Sequence, residues 1–241
     1  MSIFFGYSFT VEKQFAGKKA FVVGGTGGLG LAVSRRLQAA GADVVAVGRH
    51  HVDKMEIFEI NLDIPSSHAT LIELVSAADI LCVARGPFLQ KSLRDTTPDE
   101  WEHIVSANLT FPGKLVSASL TGMIAKKWGR ILLFGGTRTD SIRGFRTNAA
   151  YAAAKTGLAS LAKSVALAYA KDGITCNVLC PGLSDTEYLD ANLRDSLARK
   201  NPDGELIGAN KIAEAAFFLL SNPECNGVSF PVDKGWAPGL I

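Results

Sequence analysis

Tyr151 and Lys155 stand one helical turn apart in the Ala-rich stretch 149–170, so a helix there carries both on one face. An ammonium near a phenol favours the phenolate, which lets the tyrosine exchange a proton with a substrate oxygen while hydride moves at the adjoining carbon. The plain alternative is a surface Tyr/Lys pair on an Ala-rich helix. What the rest of the chain supplies decides between them.

A hydride needs a carrier, and the segment Gly24-Gly25-Thr26-Gly27-Gly28-Leu29-Gly30 has the composition to seat one. It follows an apolar, strand-like run at 20–23 and precedes a helical pattern at 31–40, so glycines fall where backbone meets a pyrophosphate at a helix N-terminus. The expected contacts are Gly24, Thr26, Gly28, Leu29 and Gly30. After the second apolar run, 44–47, comes Gly48-Arg49 instead of the carboxylate that would hold a ribose 2′-hydroxyl. A guanidinium there suits a 2′-phosphate, so Arg49 points to NADP(H). His50 and His51 adjoin it and read as loop residues. Asn61 and Leu62, with Ala84 and Gly86 beyond the run at 80–83, complete the expected cofactor wall.

These chemical residues need a frame. Apolar, β-branched runs at 20–23, 44–47, 80–83, 131–134 and 176–179 alternate with helical periodicity. Runs apolar on both faces predict a parallel sheet between helix layers, a doubly wound α/β fold in one domain, 1–241. Thr97-Pro98-Asp99-Glu100 supplies a cap hydroxyl, an N1 proline and first-turn acids for a helix over 99–107, while Asp172-Gly173 stops the long helix of Tyr151.

Gly24-x-x-x-Gly28-x-Gly30 followed by Tyr151-Ala-Ala-Ala-Lys155 resembles the short-chain dehydrogenase/reductase family, over nearly the whole chain. The resemblance implies a Rossmann-type fold. Ala107-Asn108-Leu109-Thr110 matches the family's structural and catalytic asparagine, whose side chain kinks its helix and whose carbonyl holds a water linked to the lysine. The residue reading of Asn108, past a helix ending at 107, is a cap. The family also implies a hydrogen bond from Lys155 to the nicotinamide ribose. Pro181-Gly182-Leu183-Ser184-Asp185-Thr186 is similar to a segment beside the nicotinamide, where Thr186 bonds the carboxamide; capping the next helix is its other reading. Val232-Asp233-Lys234-Gly235-Trp236 resembles the family's Val-Asp-Gly-Gly ending.

Two departures matter. The family's serine, which polarises the substrate carbonyl, has no counterpart in Phe134-Gly135-Gly136-Thr137-Arg138-Thr139. Matching by strand puts Gly136 there, and counting back from Tyr151 reaches Thr137 or Arg138. Thr137 is the candidate replacement, a turn residue its alternative, and Ser141 a weaker one. The family's Asn-Asn-Ala-Gly is here Val83-Ala84-Arg85-Gly86. Arg85 should emerge near the cofactor or substrate mouth, and with Arg138, Arg143 and Arg146 it suggests a cleft for an anionic substrate such as a carboxylate or a phosphate-bearing carrier, against which stand four solvated loop arginines. The segment 188–210, the family's substrate lid, is too polar for a sterol pocket, though Leu189, Leu193, Leu197 and Leu206 suit a modest cleft.

A hydrophobic fraction of 47% supports a buried sheet, and a net charge of +2 without a basic tract argues against nucleic-acid binding. Cys82, Cys176, Cys180 and Cys225 lack metal-site spacing and read as buried thiols. The apolar start Ile3-Phe4-Phe5 breaks at Gly6, too soon for a membrane span or signal segment, which points to the cytoplasm. The expected protein is an NADP(H)-dependent oxidoreductase of ketones and secondary alcohols. A non-catalytic, cofactor-binding sensor or scaffold is the alternative; a lyase or epimerase would need a further acid or base that the sequence does not identify. Helices over 99–126 and 149–171 could pair across a symmetry axis, giving a homotetramer or a homodimer.

Overall fold

The computed structural model describes residues 13–236; the apolar start at Ile3 lies outside the described residues. Strand β1 (Lys19–Val23) turns into helix α1 (Gly28–Ala39), followed by β2 (Asp43–Gly48), β3 (Glu56–Glu59), α2 (His68–Leu74) and β4 (Ile80–Val83). Next come α3 (Pro98–Val105), α4 (Phe111–Lys126), β5 (Gly129–Phe134), α5 (Ala149–Tyr169) and β6 (Ile174–Pro181). The last part holds β7 (Ser184–Asp185), α6 (Ala191–Ala198), β8 (Ile207–Gly208), α7 (Ala209–Ser221) and β9 (Ser229–Val232).

Seven strands form one parallel sheet in the order β3-β2-β1-β4-β5-β6-β9, with β7 and β8 pairing apart from it. Alternate residues of β1 serve opposite layers. Phe21 and Val23 pack with Leu115 of α4 and Leu158 of α5. Ala20 and Val22 pack with Leu37 of α1 and Ile212 of α7. Burial on both faces is why the strands read as continuous apolar runs. The chain reverses its direction of travel across the sheet between β1 and β4, and this switch point opens a crevice beyond the strands' carboxyl ends.

All five expected strands are present, each inside or equal to an observed one. The strands missed are β3 and β9 of the sheet, whose residues are only partly buried or exposed, and the two-residue pair β7 and β8. Of the cysteines, all free, Cys225 is half-buried instead of buried. Among the described residues no helix is long and apolar enough to cross a membrane, and no group of three His, Cys, Asp or Glu side chains could hold a metal ion.

Thr97 caps α3 as its residue types require: its hydroxyl accepts from the Glu100 N–H at 3.2 Å, and Glu100 accepts from the Thr97 N–H at 3.0 Å. The helix does not end after residue 107, and Asn108 is not its cap. A five-residue π-helical turn, Ser106–Thr110, joins α3 directly to α4. Asn108 lies wholly buried inside that turn, donating from Nδ2 to the carbonyls of Ile104 (2.9 Å) and Pro87 (3.0 Å). The bond to Ile104 explains the widened turn, since a side chain takes part of the backbone ladder's work. Asn108→Ala strands both carbonyls, so urea unfolding should show a loss of about 1–3 kcal/mol. An unchanged midpoint would mean that water satisfies them and the side chain is dispensable to the fold.

Candidate active site

The crevice at the switch point is lined from both sides by backbone. Gly24, with φ +82°, ends β1, and a Cβ there would come 2.9 Å from the carbonyl oxygen of Ala84 after β4. A Cβ on Gly30 would overlap the Gly24 carbonyl, and one on Gly48 would overlap the Thr26 hydroxyl. The loop therefore closes this tightly only without those side chains. It leaves the N-terminus of α1, whose first turn has no acidic residue and no side-chain cap, facing the crevice. Two adjoining cavities of about 300 and 220 Å³ share Leu29, Ala84, Arg85 and Gly86. A cradle of crowded glycines at the start of a twelve-residue helix fits a dinucleotide's pyrophosphate.

Gly24, Thr26, Gly28, Leu29, Arg49 and Leu62 all line the larger cavity, as does Thr186. Asn61 does not: its Oδ1 accepts from the Asp63 N–H at 3.0 Å and closes its own turn. Asp63 takes the place on the crevice wall instead. Its carboxylate pairs with Arg49 at 3.7 Å and, much closer, with Arg85. Arg85 is thereby drawn along the wall shared by the two cavities toward Asp63. Arg143 pairs with Asp140 at 3.6 Å, and Arg138 lies over the Phe145 ring at 5.8 Å. Of the four arginines offered for an anionic substrate, Arg85 is thus engaged by Asp63, while Arg138 and Arg143 have partners within their own loop.

The segment after β7 reaches over the glycine loop. Glu187 Oε1 accepts from the Gly28 N–H at 2.6 Å, and the Tyr188 hydroxyl fills the space that a side chain on Gly27 would need. A carboxylate of the chain itself therefore sits on the positive end of α1. Neither residue carries a local sequence signal, since their partner is some 160 residues away.

The smaller cavity holds the candidate chemistry: Tyr151, Lys155, Gly136, Thr137, Pro181 and Gly182 line it. Lys155, 3% exposed, donates to the carbonyls of Phe134 at 2.7 Å and Arg85 at 3.4 Å. Burial brings its pKa down to about 8, with Cys180 opposing and Arg85 adding to the fall. The ammonium stands 5.8 Å from the centre of the Tyr151 ring, and the phenol is pushed up to about 12 by burial and then by Cys180. The direction is opposite to the lowering expected from Lys155: burial dominates at Tyr151. A phenol in that state is a proton donor. Phe88, 57% exposed at the cavity mouth, packs its ring edge-on against Tyr151 at 5.0 Å; nothing in the sequence marks it.

Gly86 separates Asn108 from Lys155: a Cβ there would overlap Asn108 Oδ1 and lie 2.9 Å from Lys155 Nζ. That Oδ1 is buried with no hydrogen-bond partner among the described residues. The place facing Tyr151 belongs to Gly136, whose Cβ would fall 2.9 Å from the tyrosine oxygen. Gly136 is the position that strand matching gives for the family's serine. Thr137 lines the cavity, but its hydroxyl donates to the Pro181 carbonyl at 3.1 Å. Ser141 accepts from Arg143 at 2.8 Å in the exposed loop beyond. Gly182 packs on Asp233, and Lys234, left-handed where the family ending has glycine, is held by Asp203 and Glu205.

A family model described as enoyl-(acyl carrier protein) reductase matches residues 24–237. The chain is 32% identical over 226 residues to the 3-oxoacyl-[acyl-carrier-protein] reductase FabG of Escherichia coli, covering 87% of this chain and 92% of that protein. It is 29% identical over 254 residues to the D-beta-hydroxybutyrate dehydrogenase of Cupriavidus necator, covering 91% and 98%. A Beutenbergia cavernae crystal structure with NADP bound at low occupancy superposes with a TM-score of 0.82 at 25% identity, covering 92% of this chain and 98% of that one.

Proposed function

Belonging to the short-chain dehydrogenase/reductase family, the chain is an oxidoreductase of keto and hydroxyl groups that works with a nicotinamide dinucleotide, and we propose that it uses NADP(H) with Tyr151 as its proton donor. The observation carrying this reading is the shared wall: the glycine-loop crevice and the cavity of Tyr151 and Lys155 meet at Leu29, Ala84, Arg85 and Gly86. Gly24, Thr26, Gly28 and Gly30 would hold the pyrophosphate, Arg49 the 2′-phosphate, and Pro181, Gly182 and Thr186 the nicotinamide end. When bound, the dinucleotide supplies or accepts the hydride. Tyr151 Oη gives its proton to the substrate oxygen during reduction and recovers it in the reverse direction. Lys155, fixed by the Phe134 carbonyl, offsets negative charge that builds on Tyr151, and Asn108 keeps the backbone beside it in the widened turn.

The substrate class we favour is a 3-oxoacyl or 3-hydroxyacyl compound, the feature common to the names of the Escherichia coli and Cupriavidus relatives. A homotetramer or dimer is the proposed assembly. An outward groove of about 1100 Å³ along α5, flanked by Ile142 at 94% and Leu167 at 89% exposure, supports it. A cofactor-binding sensor without turnover remains the second reading, favoured by one observation: Gly136 offers no hydroxyl and that of Thr137 is already engaged.

Fluorescence titration with NADPH and NADH, followed by assays on 3-oxoacyl and simple ketone substrates, tests these readings. Arg49→Asp should weaken NADPH by about tenfold or more, the scale of one charge-assisted contact, and leave NADH little changed. Preference of the natural chain for NADH would end the NADP(H) assignment. Tight binding with no turnover on any carbonyl would favour the sensor.

A further inference from the structure

We propose that Arg85 is a second specificity-determining cation for the cofactor's 2′-phosphate, acting with Arg49 across the carboxylate of Asp63. The inference rests on the NADP(H) reading and adds to it a residue from a different strand.

Arg85 follows β4, where the resemblance above has an alanine, so its long side chain is an addition to the crevice. Its guanidinium could have faced Tyr151 or solvent. It runs instead along the cavity wall to Asp63, which Arg49 approaches from the end of β2. One carboxylate thus serves two guanidinium groups, leaving one excess positive charge where the family places the ribose. The side chains differ in shelter: Arg85 is 18% exposed, Asp63 46% and Arg49 61%. Arg49 alone is a surface cation whose pull water and salt weaken, whereas Arg85 acts from a drier position.

Charge counting makes Arg85 decisive. Asp63 by itself repels a phosphate dianion, and a single arginine beside it merely cancels that repulsion. Two arginines reverse it and offer two planar donor forks to three phosphate oxygens. Burial lowers the pKa of Arg85, Asp63 opposes that fall, and Arg49 adds to it. The two guanidinium groups therefore already repel each other, and a phosphate between them would relieve that repulsion.

The test compares 2′,5′-ADP with 5′-AMP, which differ only in the 2′-phosphate, by calorimetry on the full chain. The natural chain should prefer 2′,5′-ADP at least tenfold. Arg85→Met should cut that preference about tenfold while 5′-AMP binding stays within about twofold, and Arg85→Lys should fall between. Asp63→Asn, which removes the competing carboxylate, should raise the ratio. If Arg85→Met does not fold, Arg85→Gln reads the same ratio. No preference in the natural chain defeats the NADP(H) reading itself. A preference that survives loss of Arg85, or an equal loss for both ligands, defeats only the role given to Arg85.

Discussion

Tyr151→Phe is expected to lower turnover by about 10²–10⁴-fold while NADPH affinity stays within about twofold, because the substitution removes one oxygen and little else. The ring remains to fill the space beside Phe88, whose edge meets it at 5.0 Å. Lys155 keeps its bond to the Phe134 carbonyl, so the ammonium does not move in search of a partner. What disappears is the phenol hydroxyl, whose proton burial holds in the cavity that also holds the lysine. Steady-state kinetics on a 3-oxoacyl substrate, with a parallel cofactor titration, separate the two effects. A loss under about threefold would show that the proton comes from elsewhere. A matching loss of cofactor affinity would mean that Tyr151 supports the crevice instead of the chemistry.

Gly136→Ser, which restores the hydroxyl of the family pattern, should lower turnover by about 10²-fold instead of raising it. The reason is space. A Cβ at Gly136 falls 2.7 Å from Tyr151 Cε1 and 2.9 Å from its oxygen, closer than non-bonded carbon contacts allow. Tyr151 has Phe88 against its ring and its own backbone fixed in α5, so the phenol must swing away from the place the substrate oxygen should take. Gly136→Ala, which adds the carbon without the hydroxyl, should do the same harm. An increase in rate for the serine variant, with a loss for alanine, would instead mean that a hydroxyl is what the site lacks and that the tyrosine can yield.

Much of this arrangement could be read along the chain because it is local. The glycine loop lies between a strand and a helix, Tyr151 and Lys155 share one helical turn, and Thr97-Pro98-Asp99-Glu100 caps a helix by residue type alone. The short strand Glu56–Glu59 was not legible. Charged ends and half-exposed middle residues give an edge strand no apolar run. Asn108 was legible as a residue that interrupts a helix, but not its second bond, to the Pro87 carbonyl arriving from another segment. Arg85 was legible as a residue emerging near the cofactor or substrate mouth, but not which of the two, because Asp63 from another segment decides its direction. The serine's place turns on a register in space, and what faces the tyrosine oxygen there is Gly136, which no spacing along the chain could show.

Glu187 bears on how long a cofactor stays. Its carboxylate bonds the Gly28 amide at the head of α1, so on the proposed cofactor reading an arriving pyrophosphate would trade places with a group tethered to the same chain. The gain on arrival is only the difference between two anions at one seat. Departure is eased by the same amount, because the amide is never left bare. In enzymes whose cycle closes with release of the spent dinucleotide, dwell time limits throughput. A resident carboxylate that returns to its seat shortens that dwell, trading tightness of grip for speed of exchange.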